Sequence, residues 1–339
     1  MDITLKSGRS PTTRRGLLTG IVASAGLMSI PVVGAGPAQG QTYPSRPITL
    51  VVGLAPGSGQ DAAARTVSRR AGELLGVQIV VENKPGAGTM TASLSVAKAP
   101  PDGYTLLQNG VALSVNPAFY KQVPYDAAQD FVPVAFLVNA PMILVVNPTL
   151  GVTTLADFLS RYKGSDHLTY AHPGAGTMPH LAAELFRVRS GIKLRAVPYR
   201  GGAPALTDVI AGHVHMTMVT PLVKPNIETG KVRALAVGSD GRLDVLPELP
   251  TFAQAGLPLP EANAGAWFGI LAPKGTPADI VRKLNEAVNA ALRDPAVRDD
   301  LKALGFVPKP MTPDEFAAFL RDDMRKWPAI VAAAGLRAE

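Results

Sequence analysis

Residues 50–65 read LVVGLAPGSGQDAAAR, and this stretch decides how the rest of the chain is placed. Ile48–Leu54 is an unbroken apolar run, as expected of a parallel strand covered on both faces. Pro56-Gly57-Ser58-Gly59 ends it, and an Ala-rich segment from about Asp61 to Leu75 favours helix. Strand, glycine turn and helix N-terminus together present unpaired backbone N–H groups at the positive end of a helix dipole, which suits an anion. Ser58 and Asp61 either touch that anion or cap the helix. A carboxylate at Asp61 fits the N–H groups of the turn better than it fits an acidic ligand.

The pattern recurs. A strand over Gln78–Glu82 meets Asn83-Lys84-Pro85-Gly86-Ala87-Gly88 and a helix over 89–98, and a strand over Tyr104–Gln108 ends at Asn109-Gly110. Val132–Val138 and Met142–Asn147 are apolar strands hinged at Asn139-Ala140-Pro141. Beyond them, a helix over 154–162 capped by Thr153 or Thr154 precedes a strand over Leu168–Ala171. That strand runs into His172-Pro173-Gly174-Ala175-Gly176-Thr177 and a helix over 179–189. Leu194–Pro198 meets Tyr199-Arg200-Gly201-Gly202 and a helix from Ala203, while His213–Thr220 and Val232–Val237 read as further strands. A strand over Ala266–Leu271 leads to a helix capped by Thr276, with Pro277 at its first position and Ile280, Leu284, Ala287, Val288 and Leu292 as its buried stripe. Helices over 295–304 and 313–334 follow. Such alternation predicts βαβ units, parallel sheets and post-strand turns gathered on one edge. Crossings near Ala140 and Asn263–Gly265 divide the chain into lobe 1, residues 41–140 with 264–339, and lobe 2, residues 141–263. A discontinuous lobe implies a hinge and a cleft.

The 339 residues suit two domains, and 47% hydrophobic with 17% charged residues supports a sizeable core. Cysteine is absent, which excludes a thiol nucleophile, thiolate metal sites and a disulfide scaffold. The first forty residues read as a twin-arginine (Tat) signal peptide: Arg14-Arg15, an apolar run from Leu17, then Ala38 and Gly40 before a cut at Gln41. This leader carries +3 of the net +7, and the mild remainder fits an acidic small molecule better than nucleic acid. No later stretch is long and apolar enough to span a bilayer.

No catalytic apparatus assembles. The Gly57-Ser58-Gly59 turn lacks the G-x-S-x-G spacing of a nucleophile elbow, and no phosphate loop or third glycine of a dinucleotide motif is present. His213 and His215, two apart on an expected strand, would point the same way; they make half a zinc site at most, and a surface or core-satisfied pair otherwise. What converges instead is a set of turns rich in backbone donors at 56–61, 84–90, 109–112, 173–178 and 199–204.

Tyr43-Pro44-Ser45-Arg46-Pro47-Ile48, LAPGSGQDAAAR, ENKPGAG, PPDGYTLL, PYDAAQDF, VPYRGGAPALTDVIAG, GKVRALAVGSDGR, LPELPTFAQAG and APKGTPADIVRKLNEA, in that order, resemble the Bug family of periplasmic substrate-binding proteins. The resemblance implies an α/β, type II periplasmic-binding-protein fold: two Rossmann-like lobes with a hinge and a central ligand cleft. It implies no catalysis, no metal and no cofactor. It further implies a periplasmic monomer that captures a small carboxylate, a di- or tricarboxylate or an aromatic acid. That acid would be delivered to the large and small membrane subunits of a tripartite tricarboxylate transporter; presenting it to a two-component sensor is the alternative. The ligand-binding positions it implies are Pro56, Gly57, Ser58 and Asp61 in the first loop and Asn83, Gly86, Gly88 and Asn109 beside it. Facing them would stand His172, Gly174, Ala175, Gly176 and Thr177, then Tyr199, Gly201 and Ala203. Ser58, His172 and His215 depart from the family's usual residues, and any that face the cleft make it more donor-rich. That favours an acid with two acidic ends or an aromatic acid over an amino acid.

Overall fold

The computed structural model describes residues 43–259, 266–333 and 335–336. The signal peptide expected over 1–40, its cut before Gln41 and the crossing expected at Asn263–Gly265 lie outside the described residues. Strands β1 (Ile48–Val52), β2 (Ile79–Asn83), β3 (Thr105–Gly110), β4 (Phe131–Ala140), β10 (Ala266–Pro273) and β11 (Val307–Pro308) form one sheet in the order β11-β4-β10-β3-β1-β2. Strands β5 (Met142–Val146), β6 (Leu168–His172), β7 (Leu194–Pro198), β8 (Met216–Val219) and β9 (Arg233–Gly238) form the other, ordered β7-β6-β8-β5-β9. Pro141 alone separates β4 of the first sheet from β5 of the second.

The sheets are mixed rather than purely parallel. β1 runs parallel to β2 and β3, with Ile48 opposite Ile79 and Thr49 opposite Thr105, but β10 is antiparallel to both β3 and β4. In the second sheet β6 is parallel to β7 and β8, while β5 is antiparallel to β8 and β9. Neither β10 nor β5 is entered by a crossover helix within its own sheet: β5 follows β4 of the other sheet directly, and β10 follows a long connection from the second sheet.

Local expectations hold in outline and shift at the ends. Helix α1 (Gly59–Leu75) starts two residues earlier than expected because Ser58 caps it: the Ser58 hydroxyl accepts from Asp61 N–H at 3.2 Å. Helix α2 (Met90–Ala97) follows a short 3-10 turn over Ala87–Thr89. Helix α3 (Val111–Phe119), which the sequence reading lacks, springs from the end of β3 with Gly110 as its cap residue. The helix over Ala278–Arg293 begins one residue late, so Pro277 is its cap and the Thr276 hydroxyl donates to the Pro273 carbonyl at 2.8 Å instead. Its buried face includes Val281, Leu284, Ala287, Val288 and Leu292, whereas Ile280 is only half-buried. His213 and His215 precede β8 rather than lying on it. They also part company: His213 faces the Asp208 carboxylate at 3.5 Å, and His215 Nδ1 lies 2.8 Å from the Thr169 hydroxyl.

The first half is clamped by aromatic packing. Trp267 of β10, Phe136 of β4, and Phe316 and Phe319 of the C-terminal helix (Pro313–Ala333) meet edge-on or stacked, with centroids 5.1 to 6.4 Å apart. The Trp267 indole donates to the buried Asp323 carboxylate at 2.8 Å, which fastens that helix to the sheet. Gly269 makes the fit possible. A Cβ there would lie 2.4 Å from Phe316 Cζ and 3.2 Å from the Ala135 carbonyl oxygen.

In the second half, helix α5 (Met178–Ser190) packs on β6 and β8, and helix α4 (Leu155–Arg161) buries Leu155 and Phe158. Two buried histidines sit where β6 meets α5, their ring centroids 4.5 Å apart. Burial, reinforced by His172, pushes the His180 pKa down to about 3, and burial also lowers that of His172 despite the Glu184 charge. Beside them the Tyr170 hydroxyl bonds Glu184, and burial raises its pKa. Both imidazoles are therefore neutral when folded, while in the unfolded chain they take a proton near pH 6.5. The unfolded state binds more protons below that pH, so stability is full above about pH 6.5 and falls as the pH drops toward 3.

Two stability predictions follow from this packing. Gly269→Ala overpacks the Phe316 contact and lowers unfolding free energy by about 1–3 kcal/mol, read from urea midpoints. Lowering pH from 7 to 4.5 reduces the wild-type unfolding free energy, and His180→Phe flattens that slope.

Candidate functional site

Four helix N-termini meet at one cavity. Helices α1 and α3 bring it residues from the first half, and α5 and α6 (Gly202–Ala211) from the second. The N–H groups in a first helical turn have no intrahelical acceptor. Gly59 and Gln60 of α1, Val111 and Ala112 of α3, Met178 of α5, and Gly202 and Ala203 of α6 occupy such positions, and all seven line a cavity of about 200 Å³. The dipoles of these helices put their positive ends on the same space.

The cap turns are held in shape by side chains that face away from it. The Asp61 carboxylate accepts from Gly57 N–H at 3.0 Å, from Arg65 at 3.0 Å and from Asn83 at 3.0 Å, and Asn83 also donates to the Leu54 carbonyl at 2.9 Å. Burial alone would raise the Asp61 pKa, but the bonds from Arg65, Gly57 and Asn83 outweigh it and hold the carboxyl below its ordinary range. The opposing turn is shaped by the two histidines: His172 Nδ1 accepts from Gly174 N–H at 3.3 Å and His180 Nδ1 from Gly176 N–H at 3.4 Å. Only a neutral ring can accept, so the depressed pKa values and the turn geometry require each other.

A third turn is left-handed throughout. Gly86, Ala87, Gly88 and Thr89 take φ values of 141°, 46°, 59° and 73°. Positive φ is costly for a β-branched residue, and strain of this kind gathers at functional sites. It is held by Asn109, which donates to the Thr89 hydroxyl at 3.1 Å, and by Asn116, which donates to the Gly88 carbonyl at 3.0 Å. The result is that Thr89, not Gly86 or Gly88, faces the cavity.

The two sets of turns touch. The Tyr120 hydroxyl, at the end of α3, donates to the Ala175 carbonyl at 2.8 Å, and any Cβ on Gly88 would lie 2.5 Å from that same oxygen. The turn at Gly88 and the turn at Ala175 are thus in direct contact.

Of the positions expected from sequence, Gly57, Ser58, Thr177 and Ala203 line the cavity. Pro56, Asp61, Asn83, Gly86, Gly88 and Asn109 lie outside the lining on the first side, as do His172, Gly174, Ala175, Gly176, Tyr199 and Gly201 on the second. Several of these have structural partners: Tyr199 donates to Asp208 at 2.6 Å, and Asn109 also bonds Ser93 at 2.9 Å. His172 is buried, and neither it nor His215 adds a donor to the cavity. Sequence reading had Gln60 and Thr89 only as members of the donor-rich turns 56–61 and 84–90, and it missed Thr217 and Thr220 among the polar lining and an apolar lining that includes Leu54, Met142, Met178, Leu206, Met218, Leu222 and Phe268. No lysine, arginine, histidine, aspartate or glutamate is among the described residues lining it. Nor is there, among the described residues, a group of three side chains suited to a metal ion or a helix long and apolar enough to cross a membrane.

Residues 63–336 match the family model described as the tripartite tricarboxylate transporter family receptor. Protein BugT of Bordetella pertussis is 34% identical over 324 residues, which is 94% of this chain and 99% of BugT. Among solved structures, Rpa4515 of R. palustris with adipate is 35% identical with a TM-score of 0.83, covering 87% of this chain and 99% of that one. MatC of Rhodopseudomonas palustris with bound malate is 34% identical with a TM-score of 0.80, covering 85% and 100%. The two-sheet α/β architecture is accordingly that of the periplasmic binding proteins. This chain belongs to the tripartite tricarboxylate transporter receptor family, TctC, which includes the Bug proteins.

Proposed function

We propose that the protein is an exported, non-catalytic receptor that captures a small carboxylate between its two halves and delivers it to the membrane subunits of a tripartite tricarboxylate transporter. The observation that carries this reading is the convergence of first-turn N–H groups from both sides on one cavity without a charged side chain among its described lining. A carboxylate placed there accepts from donors on both sides, and charge-assisted bonds of this kind contribute about 1.5–3 kcal/mol each. Because the bound acid contacts both halves, it favours the closed form over the open one. The lobes are residues 41–140 with 264–339, and 141–263, hinged at Ala140–Pro141 and near Asn263–Gly265. Arg14-Arg15 and the apolar run from Leu17 support Tat export, with cleavage before Gln41 releasing a periplasmic monomer. Relatives solved with adipate and malate support the ligand class.

Native mass spectrometry of the purified protein should show a bound acid that unfolding releases, and calorimetry should show one carboxylate per chain. Absence of binding by every di-, tricarboxylic and aromatic acid would overturn the reading. Delivery is tested by uptake of the labelled acid in cells carrying the two membrane subunits, which should require this chain. Tyr120→Phe removes the bond to the Ala175 carbonyl that accompanies closure. It should weaken affinity by about 2- to 10-fold in calorimetry while leaving the ligand-free melting temperature within about 1–2 °C.

A further inference from the structure

We infer that the cavity is selective for an aromatic monocarboxylate bearing a phenolic hydroxyl, and that the Gln60 amide reads that hydroxyl. The inference rests on the carboxylate-binding reading above and narrows it.

Two features of the lining decide the ligand's body. Apart from backbone donors, the Gln60 amide and the hydroxyl residues Ser58, Thr89, Thr177, Thr217 and Thr220, the described wall is apolar, with Met142, Met178, Leu206, Met218, Leu222 and Phe268 in it, and it holds no cationic side chain for a second charged end. Burying an ionised carboxylate against such a wall without partners is strongly unfavourable. A flat ring instead gains contact on both faces, and thioether side chains adapt to its edge. Size agrees. A cavity of about 150 Å³ lined by aliphatic residues takes up benzene, and the space here is about 200 Å³, which leaves room for a carboxylate and a small substituent.

The polar substituent follows from one side chain. Gln60 is 4% exposed, lines the cavity, and its Oε1 has no hydrogen-bond partner. A buried amide oxygen left unpaired costs free energy that a ligand group can recover. Its backbone N–H already belongs to the first turn of α1, so the same residue offers a donor to the carboxylate region and an amide at side-chain reach from it. An amide can present either its oxygen or its nitrogen. A hydroxyl can answer both, whereas an ether or a methyl cannot answer the oxygen.

Calorimetry of the purified protein with benzoate, 3- and 4-hydroxybenzoate, succinate, malate and citrate tests this. The expected result is that one hydroxybenzoate binds at least ten times more tightly than benzoate, malate or citrate. Gln60→Met, which keeps length and removes the amide, should cut the preference for hydroxybenzoate over benzoate by about tenfold. Tighter binding of succinate, malate or citrate than of any aromatic acid overturns the inference and leaves the carboxylate-receptor reading intact. Equal loss for benzoate and hydroxybenzoate in Gln60→Met overturns the role of Gln60, provided the variant's melting temperature shows it folded. Failure of all six acids to bind overturns the inference and counts against the reading beneath it.

Discussion

A helix cannot satisfy the N–H groups of its own first turn, and this chain leaves seven such positions lining one cavity. Most of the local architecture serves that arrangement. Strand ends bring the helices to one edge, glycine turns let the backbones approach, and polar side chains outside the space fix each turn. The Asp61–Asn83–Arg65 cluster does this for the first turn, Asn109 and Asn116 for the left-handed one, and the paired histidines for the one across from them. Charge is thus kept one layer behind the lining.

That layering explains why residues recognisable by motif are mostly not those that touch the cavity. Asp61, Asn83 and Asn109 carry the sequence signature because turn geometry depends on them, and their side chains are consumed by it. The lining itself comes from other first-turn positions, such as Gln60 beside Asp61, and from strand residues such as Thr217 and Met218. No local signal marks these. Their side chains become neighbours only when two sheets meet.

The same logic sorts the fold. The strand-turn-helix unit at Ile48–Leu75 was legible because an apolar run, a glycine turn and an Ala-rich segment are all local. Helix α3 was hidden because no turn residue beyond Gly110 separates it from β3, and its Asn116-Pro117 pair looks like a breaker. Pro117 lies in the last turn and its missing N–H forgoes only the one bond to the carbonyl four residues upstream. The antiparallel setting of β10 was equally unreadable, since strand direction depends on where a long connection returns. Gly269, whose missing Cβ admits the Phe316 ring, gave no sign of that packing in sequence.

An anion in this space would be balanced by oriented dipoles and not by a formal countercharge, because the described lining holds none. An ion pair sealed inside a protein leaves a stranded partner when one member departs, and that penalty slows escape. Peptide dipoles carry no such debt, since water can rehydrate them as soon as the two sides part. A receptor built this way can grip in the shut form and still surrender its cargo quickly, which is what a hand-over to a second protein demands.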